Sequence, residues 1–147
     1  MRTGAITLSI DSTLDDVFLV GMVVNTLCAD VPLIEDLVYQ TELAVVEAVN
    51  NAIEHGYGGA AGHRVDVQVT VEAHRLTFAV IDRGRPLDWE AVRARGEQPP
   101  VIDDLAEGGR GLFIMQAVMD EVRYERVGET NVLTLVRALP PGRVVPG

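Results

Sequence analysis

The sequence contains no lysine; all 12 of its basic side chains are arginine. A Walker-type phosphate loop, which needs Lys followed by Ser or Thr, is therefore excluded. There is one cysteine, Cys28, which excludes an internal disulfide and a cysteine-rich metal site and suits a reducing cytoplasm. No apolar run reaches the ~18–20 residues that cross a bilayer. The N-terminus (MRTGAITLSI) lacks the long apolar core and small-residue cleavage site of a signal peptide. Positive charge is scarce as well. The 12 arginines face 22 acidic residues, for a formal net charge of -10, which does not suit direct nucleic-acid binding. A phosphate ligand stays open, because backbone N–H groups can hold one.

What is present fits one globular domain over 1–147. The 147 residues are 48% hydrophobic and 23% charged, as folded domains are, and domains cluster at about 100–150 residues. Residues 5–10 alternate and predict a short strand, with Asp11 and Ser12 offering a helix N-cap. Apolar residues at helical spacing (Leu14, Val17, Phe18, Gly21, Val24, Leu27) predict a first helix, with Cys28 on its apolar side. A second helix is expected from Pro32 to His55, stopped by Gly56. Residues 65–72 and 76–82 predict a hairpin. The segment 83–110 is rich in Gly and Pro and holds Arg83, Arg85, Arg93, Arg95 and Arg110. A connection of that length is usually functional or disordered. A third helix over 111–120 and a second hairpin over 121–138 complete the order. The two hairpins imply an antiparallel or mixed sheet with helices on one face, and the tail 140–147 is expected to fray.

Three sites carry candidate chemistry. Glu47, Asn51 and His55 are spaced i, i+4, i+8 and share a helical stripe, with His55 read as a structural residue at the helix end that bonds locally. Asn51 offers a hard oxygen for Mg²⁺, and Glu47 a carboxylate able to take a proton. Taken alone, such a stripe is more often a solvated helix face. Asp82-Arg83-Gly84 leaves a strand, where a carboxylate can accept a hydrogen bond from an exocyclic amine and Gly84 lets the backbone approach a flat ring. The same residues also make an ordinary turn. Gly108-Gly109-Arg110-Gly111-Leu112 opens a helix, where N–H groups can converge on an anion; a flexible hinge has the same composition.

As an ordered set, EAVNNAIEHGYG (47–58), VIDRGRPLD (80–88) and GGRGLFIMQAVMDEVRYER (108–126) are more specific. The chain resembles the superfamily of gyrase, heat-shock chaperones, histidine kinases and mismatch-repair ATPases, and most of all its bacterial anti-sigma-factor serine kinase branch. The resemblance implies a two-layer α/β sandwich with a mixed, mainly antiparallel sheet, and an ATP lid at about 87–110. It implies ATP and Mg²⁺ as cofactors, Asn51 on the metal, and Glu47 as general base. Asp82 and Gly84 would take the adenine, and Gly109, Arg110, Gly111 and Leu112 the nucleotide's phosphate side. It further implies a cytoplasmic homodimer that phosphorylates a small STAS-type anti-anti-sigma partner and sequesters a sigma factor. A non-catalytic, ATP-dependent binding switch is the alternative. Two features depart from the pattern: Pro86 stands where a second Gly is frequent, and the lid lacks the threonine-and-lysine stretch of many relatives.

Overall fold

A computed structural model describes residues 3–31, 35–96 and 109–140. The expected helix start at Pro32, half of the expected lid (97–108) and nearly all of the expected frayed tail lie outside them.

Strand β1 (Gly4–Asp11) leads into helix α1 (Leu14–Ala29). The N-cap is Thr13, with extended backbone, rather than Asp11 or Ser12. Those two side chains do other work. The Ser12 hydroxyl, buried, donates to the Ala60 carbonyl at 2.6 Å and accepts from the His63 N–H at 3.1 Å. Asp11 accepts from the Gly62 N–H at 3.1 Å. A polar pair that reads as a local cap instead ties β1 to a loop some fifty residues later. Asp15 and Asp16 in the first turn of α1 face the positive end of the helix dipole.

Helix α2 (Glu35–Asn51) continues as a π-helical turn, Ala52–Gly56. Hairpin β2 (Arg64–Val71) and β3 (Arg75–Asp82) follows, then α3 (Trp89–Gly96), α4 (Gly109–Val118), and hairpin β4 (Glu121–Val127) and β5 (Thr130–Ala138). The strands form one sheet in the order β1-β2-β3-β5-β4. Every pairing is antiparallel, so the expectation of a mainly antiparallel sheet holds in its strict form.

Alternation along the strands sets the two layers. Val65, Val67 and Val69 of β2, Leu76, Phe78 and Val80 of β3, and Leu133 and Leu135 of β5 are buried. They meet Val20 and Val24 of α1, Val45, Ala48 and Val49 of α2, Ile53, and Leu112 and Met115 of α4 in one core. Cys28 is in that core, and burial, followed by the charge of Glu42, pushes its thiol up to about 12; it packs and does not react. Arg137 of β5 donates to the carbonyl of Val118 at the end of α4, the end where a cation is favourable. The sheet thus holds the C-terminal half of α2 beside the end of β3, with a cleft between them, and α4 packs on the same helix.

Candidate functional site

Asp82, the last residue of β3, pairs in register with Asn131 near the start of β5. Its Oδ1 accepts the Gly84 N–H at 2.8 Å and the Asn131 amide at 2.9 Å. Burial raises the Asp82 carboxyl above its ordinary value, opposed by those hydrogen bonds and by the Arg126 charge. The carboxylate lines a cleft with Ala48, Asn51, Ala52, Gly56, Val80, Arg85, Leu87, Tyr124 and Leu133. The cleft is apolar on most sides, with a few polar groups converging, as small-molecule sites commonly are.

Gly84 is fixed by a close approach. A Cβ there would lie 2.2 Å from the Gly56 carbonyl oxygen and 2.6 Å from the Gly56 Cα. The Arg85 N–H donates to the same carbonyl at 2.7 Å. The loop after β3 is therefore docked backbone to backbone on the end of the π turn. Gly84's lack of a side chain serves contact with Gly56, which the sequence read only as a helix stop. Tyr57 buttresses the loop: its hydroxyl accepts the Arg83 N–H and donates to the Arg64 carbonyl, each at 2.8 Å.

The third sequence site meets the first. Gly111 is buried in the first turns of α4, and a Cβ there would lie 2.8 Å from Glu47 Oε2. A side chain there would push the Glu47 carboxylate aside, so glycine lets that carboxylate lie against the N-terminal part of α4. Asn51, one turn further along α2, is half-buried on the cleft wall. Asn51 and Asp82 thus face one cleft, Gly84 is hydrogen-bonded to Asp82 at its edge, and Glu47, one turn before Asn51, faces Gly111 of α4.

Other expected residues fall elsewhere. His55 is exposed and does not line the cleft. The i+8 stripe assumed an unbroken α-helix, and the wider π turn from Ala52 swings His55 off it. The Leu112 side chain is 3% exposed and belongs to the core, which leaves its backbone for any ligand. Arg93 is exposed and borders a separate groove between α3, α4 and β4, with Phe113 and Gln116 among its neighbours. The side chains of Arg95 and Arg110 lie outside the described residues. His63 is exposed yet stacks flat on Tyr57, with ring centroids 4.5 Å apart. Trp89 packs on Tyr124, with ring centroids 5.7 Å apart.

Asn131 and Tyr124 were not expected. Asn131 is 1% exposed and its signal was parity: it shares the inward face of β5 with Leu133 and Leu135, where a polar residue needs a partner. Tyr124 had no comparable signal, because an aromatic on an alternating strand reads as packing.

A one-sided antiparallel sheet covered by helices, with a carboxylate at a strand end facing a helix that carries Asn and Glu, defines a two-layer α/β domain built around a ligand cleft. The chain belongs to the histidine kinase-like ATPase domain family, which matches residues 10–137. It is similar to the serine-protein kinase RsbW of Bacillus licheniformis, 38% identical over 95 residues that cover 63% of this chain and 57% of that protein. The RsbW of Bacillus subtilis is 37% identical with the same coverage. That of Staphylococcus aureus strain Newman is 30% identical over 105 residues, covering 67% of this chain and 65% of the relative. The chain therefore spans 57–65% of the length of these relatives. The fold is also that of the crystal structure of the RsbU and RsbW domains of Rv1364c from Mycobacterium tuberculosis. The TM-score is 0.66 at 22% identity, over 98% of this chain and 35% of that one.

Proposed function

We propose that this chain binds ATP and transfers its γ-phosphoryl group to a serine or threonine of a small STAS-type anti-anti-sigma protein. In the same reading it sequesters a sigma factor, works in the cytoplasm as a homodimer, and contacts neither nucleic acid nor membrane directly. Family membership and the relatives' name, serine-protein kinase, support the reading. The observation that carries it is convergence: Glu47 against Gly111, and Asn51 facing the same cleft as Asp82.

Each group has a task. Asp82 accepts a hydrogen bond from the adenine amine, and Ala48, Ala52, Val80 and Leu133 supply apolar walls for the ring. The Gly109–Gly111 backbone, with Arg110 and the Leu112 N–H, takes the phosphates. Glu47 accepts the proton of the partner's hydroxyl as its oxygen bonds to the γ-phosphorus. The bond to the β–γ bridging oxygen breaks, and ADP leaves. The donor set suits Mg²⁺. No cluster of three or more His, Cys, Asp or Glu able to hold a metal occurs among the described residues, and Mg²⁺ commonly takes few protein oxygens and completes its shell with substrate phosphates and water. Asn51 would hold it, and when bound it supplies charge neutralisation at the phosphates.

The exposed stripe of α1 favours protein partners in either reading. Leu14, Phe18 and Met22 are 55%, 60% and 59% exposed, and contiguous exposed apolar surface marks interaction sites. The same stripe would serve a non-catalytic, ATP-dependent switch. Incubation with labelled ATP and a STAS partner separates the two. The kinase reading expects label on the partner, lowered by about 10²–10⁴-fold in Glu47→Ala while ATP binding persists. Undiminished labelling by that variant removes Glu47 as base. Tight partner binding without transfer selects the switch.

A further inference from the structure

Tyr124 stands where the cleft meets the segment leading into α3. Its ring lines the cleft and stacks on Trp89 in the first turn of α3. Its hydroxyl accepts the Leu87 N–H at 3.0 Å and donates to Asn131 Oδ1 at 2.9 Å. Asn131 Oδ1 also accepts Arg126 Nη1 at 2.8 Å. With two donors on that oxygen, the amide hydrogens must face the other way. There they meet Asp82 Oδ1 and the Gly84 carbonyl, both at 2.9 Å. An unbroken chain of hydrogen bonds thus links the cleft carboxylate to the backbone at the base of α3.

We propose that Tyr124 is a positioning residue whose hydroxyl couples occupation of Asp82 by an adenine base to seating of Leu87 and Trp89 against the cleft. The proposal rests on the ATP reading above. A base held by Asp82 fixes Asn131, which fixes the Tyr124 hydroxyl and so the Leu87 N–H. By reciprocity a seated α3 base must favour the nucleotide by the same factor. The relay uses no phosphate contact, so adenosine alone engages it.

Trp89 is the only tryptophan and touches Tyr124, so its emission reads the coupling directly. The whole chain is titrated with adenosine and with ATP, following Trp89 emission and hydrogen exchange at the Leu87 amide. Both ligands are expected to shift the emission and slow the exchange. Tyr124→Phe keeps the ring and its stack but removes the hydroxyl. It is expected to raise the adenosine Kd by about threefold to tenfold, one lost hydrogen bond, and to abolish both responses. In an Asp82→Ala background, which removes the acceptor that the Asn131 amide meets, the same change should add nothing to the Kd, which a merely structural role for Tyr124 would not produce. Three results overturn the relay alone while ATP binding stands: unchanged responses in Tyr124→Phe, additivity in the double variant, or ATP binding that leaves Leu87 exchange unaltered in the unsubstituted chain. An unsubstituted chain that binds neither ligand overturns the ATP reading and the relay together.

Discussion

Asp82 shows how one side chain can be read correctly for type and incompletely for setting. A carboxylate after a strand and before Gly was visible in the sequence; its half-buried state was not. Burial raises its pKa above the ordinary 3.8. The sign of the consequence follows directly. A raised carboxyl means the folded state binds the proton more readily than the unfolded chain, so the ionised group costs stability at neutral pH. That cost is relieved as pH falls through the raised value. Ligand binding runs the opposite way, since the ionised carboxylate is the stronger acceptor for an amine. Asp82→Asn can still accept the Gly84 and Asn131 hydrogen bonds through its amide oxygen. We therefore expect the ligand-free variant to unfold no earlier than the parent at neutral pH. Its ATP affinity should fall about tenfold to a hundredfold, the value of a hydrogen bond to a charged group. Titration calorimetry over the acidic range should show affinity falling with pH in the parent and flat in the variant. A parent and variant with matching pH profiles would place the ligand's base elsewhere.

At the scale of elements, the periodic segments were legible almost to their ends. The hairpin read at 65–82 is Arg64–Val71 and Arg75–Asp82, and the helix read at 111–120 is Gly109–Val118. The π turn at Ala52–Gly56 was not legible, because its residues continue an ordinary helical pattern. Its last residue, Gly56, meets Gly84 across the cleft. That contact makes a sharp prediction. In Gly84→Ala the new Cβ would fall 2.2 Å from a backbone oxygen, which cannot rotate away as a side chain does. The loop must lift from the end of α2, breaking the 2.7 Å bond from the Arg85 N–H to the Gly56 carbonyl. Destabilisation of about 1–3 kcal/mol is expected, read as a lower urea midpoint, together with weaker ATP binding because Asp82 moves with the loop. A variant with the parent's midpoint would show that the docking contributes nothing.

For the whole molecule, α1 poses the question of which apolar face turns inward. Two sets recur at helical spacing: Val17, Val20 and Val24, which are buried, and Leu14, Phe18 and Met22, which are exposed. Spacing alone treats them alike, and only packing on α2 and the sheet separates them. The exposed set is the surface we assign to protein association. Phe18→Glu should leave ATP affinity at the parent's value, since Phe18 does not line the cleft, and shift the proposed homodimer toward monomer in analytical ultracentrifugation. Unchanged mass and unchanged partner affinity would exclude this face. The division between what is local and what is not runs through the entire protein. By itself the sequence determined the order of the strands and of helices α1, α2 and α4, the absence of a lysine phosphate loop, and the residue types of the three motifs, because periodicity, capping and turn chemistry act over a few residues. The tertiary structure alone decided that Glu47 lies against Gly111, that Gly84 lies on Gly56, and that Asn131 and Tyr124 join Asp82 to the base of α3. Those contacts follow from sheet register and from one helical layer closing on the sheet, forces that act between residues tens of positions apart and leave little trace in any short window of the chain.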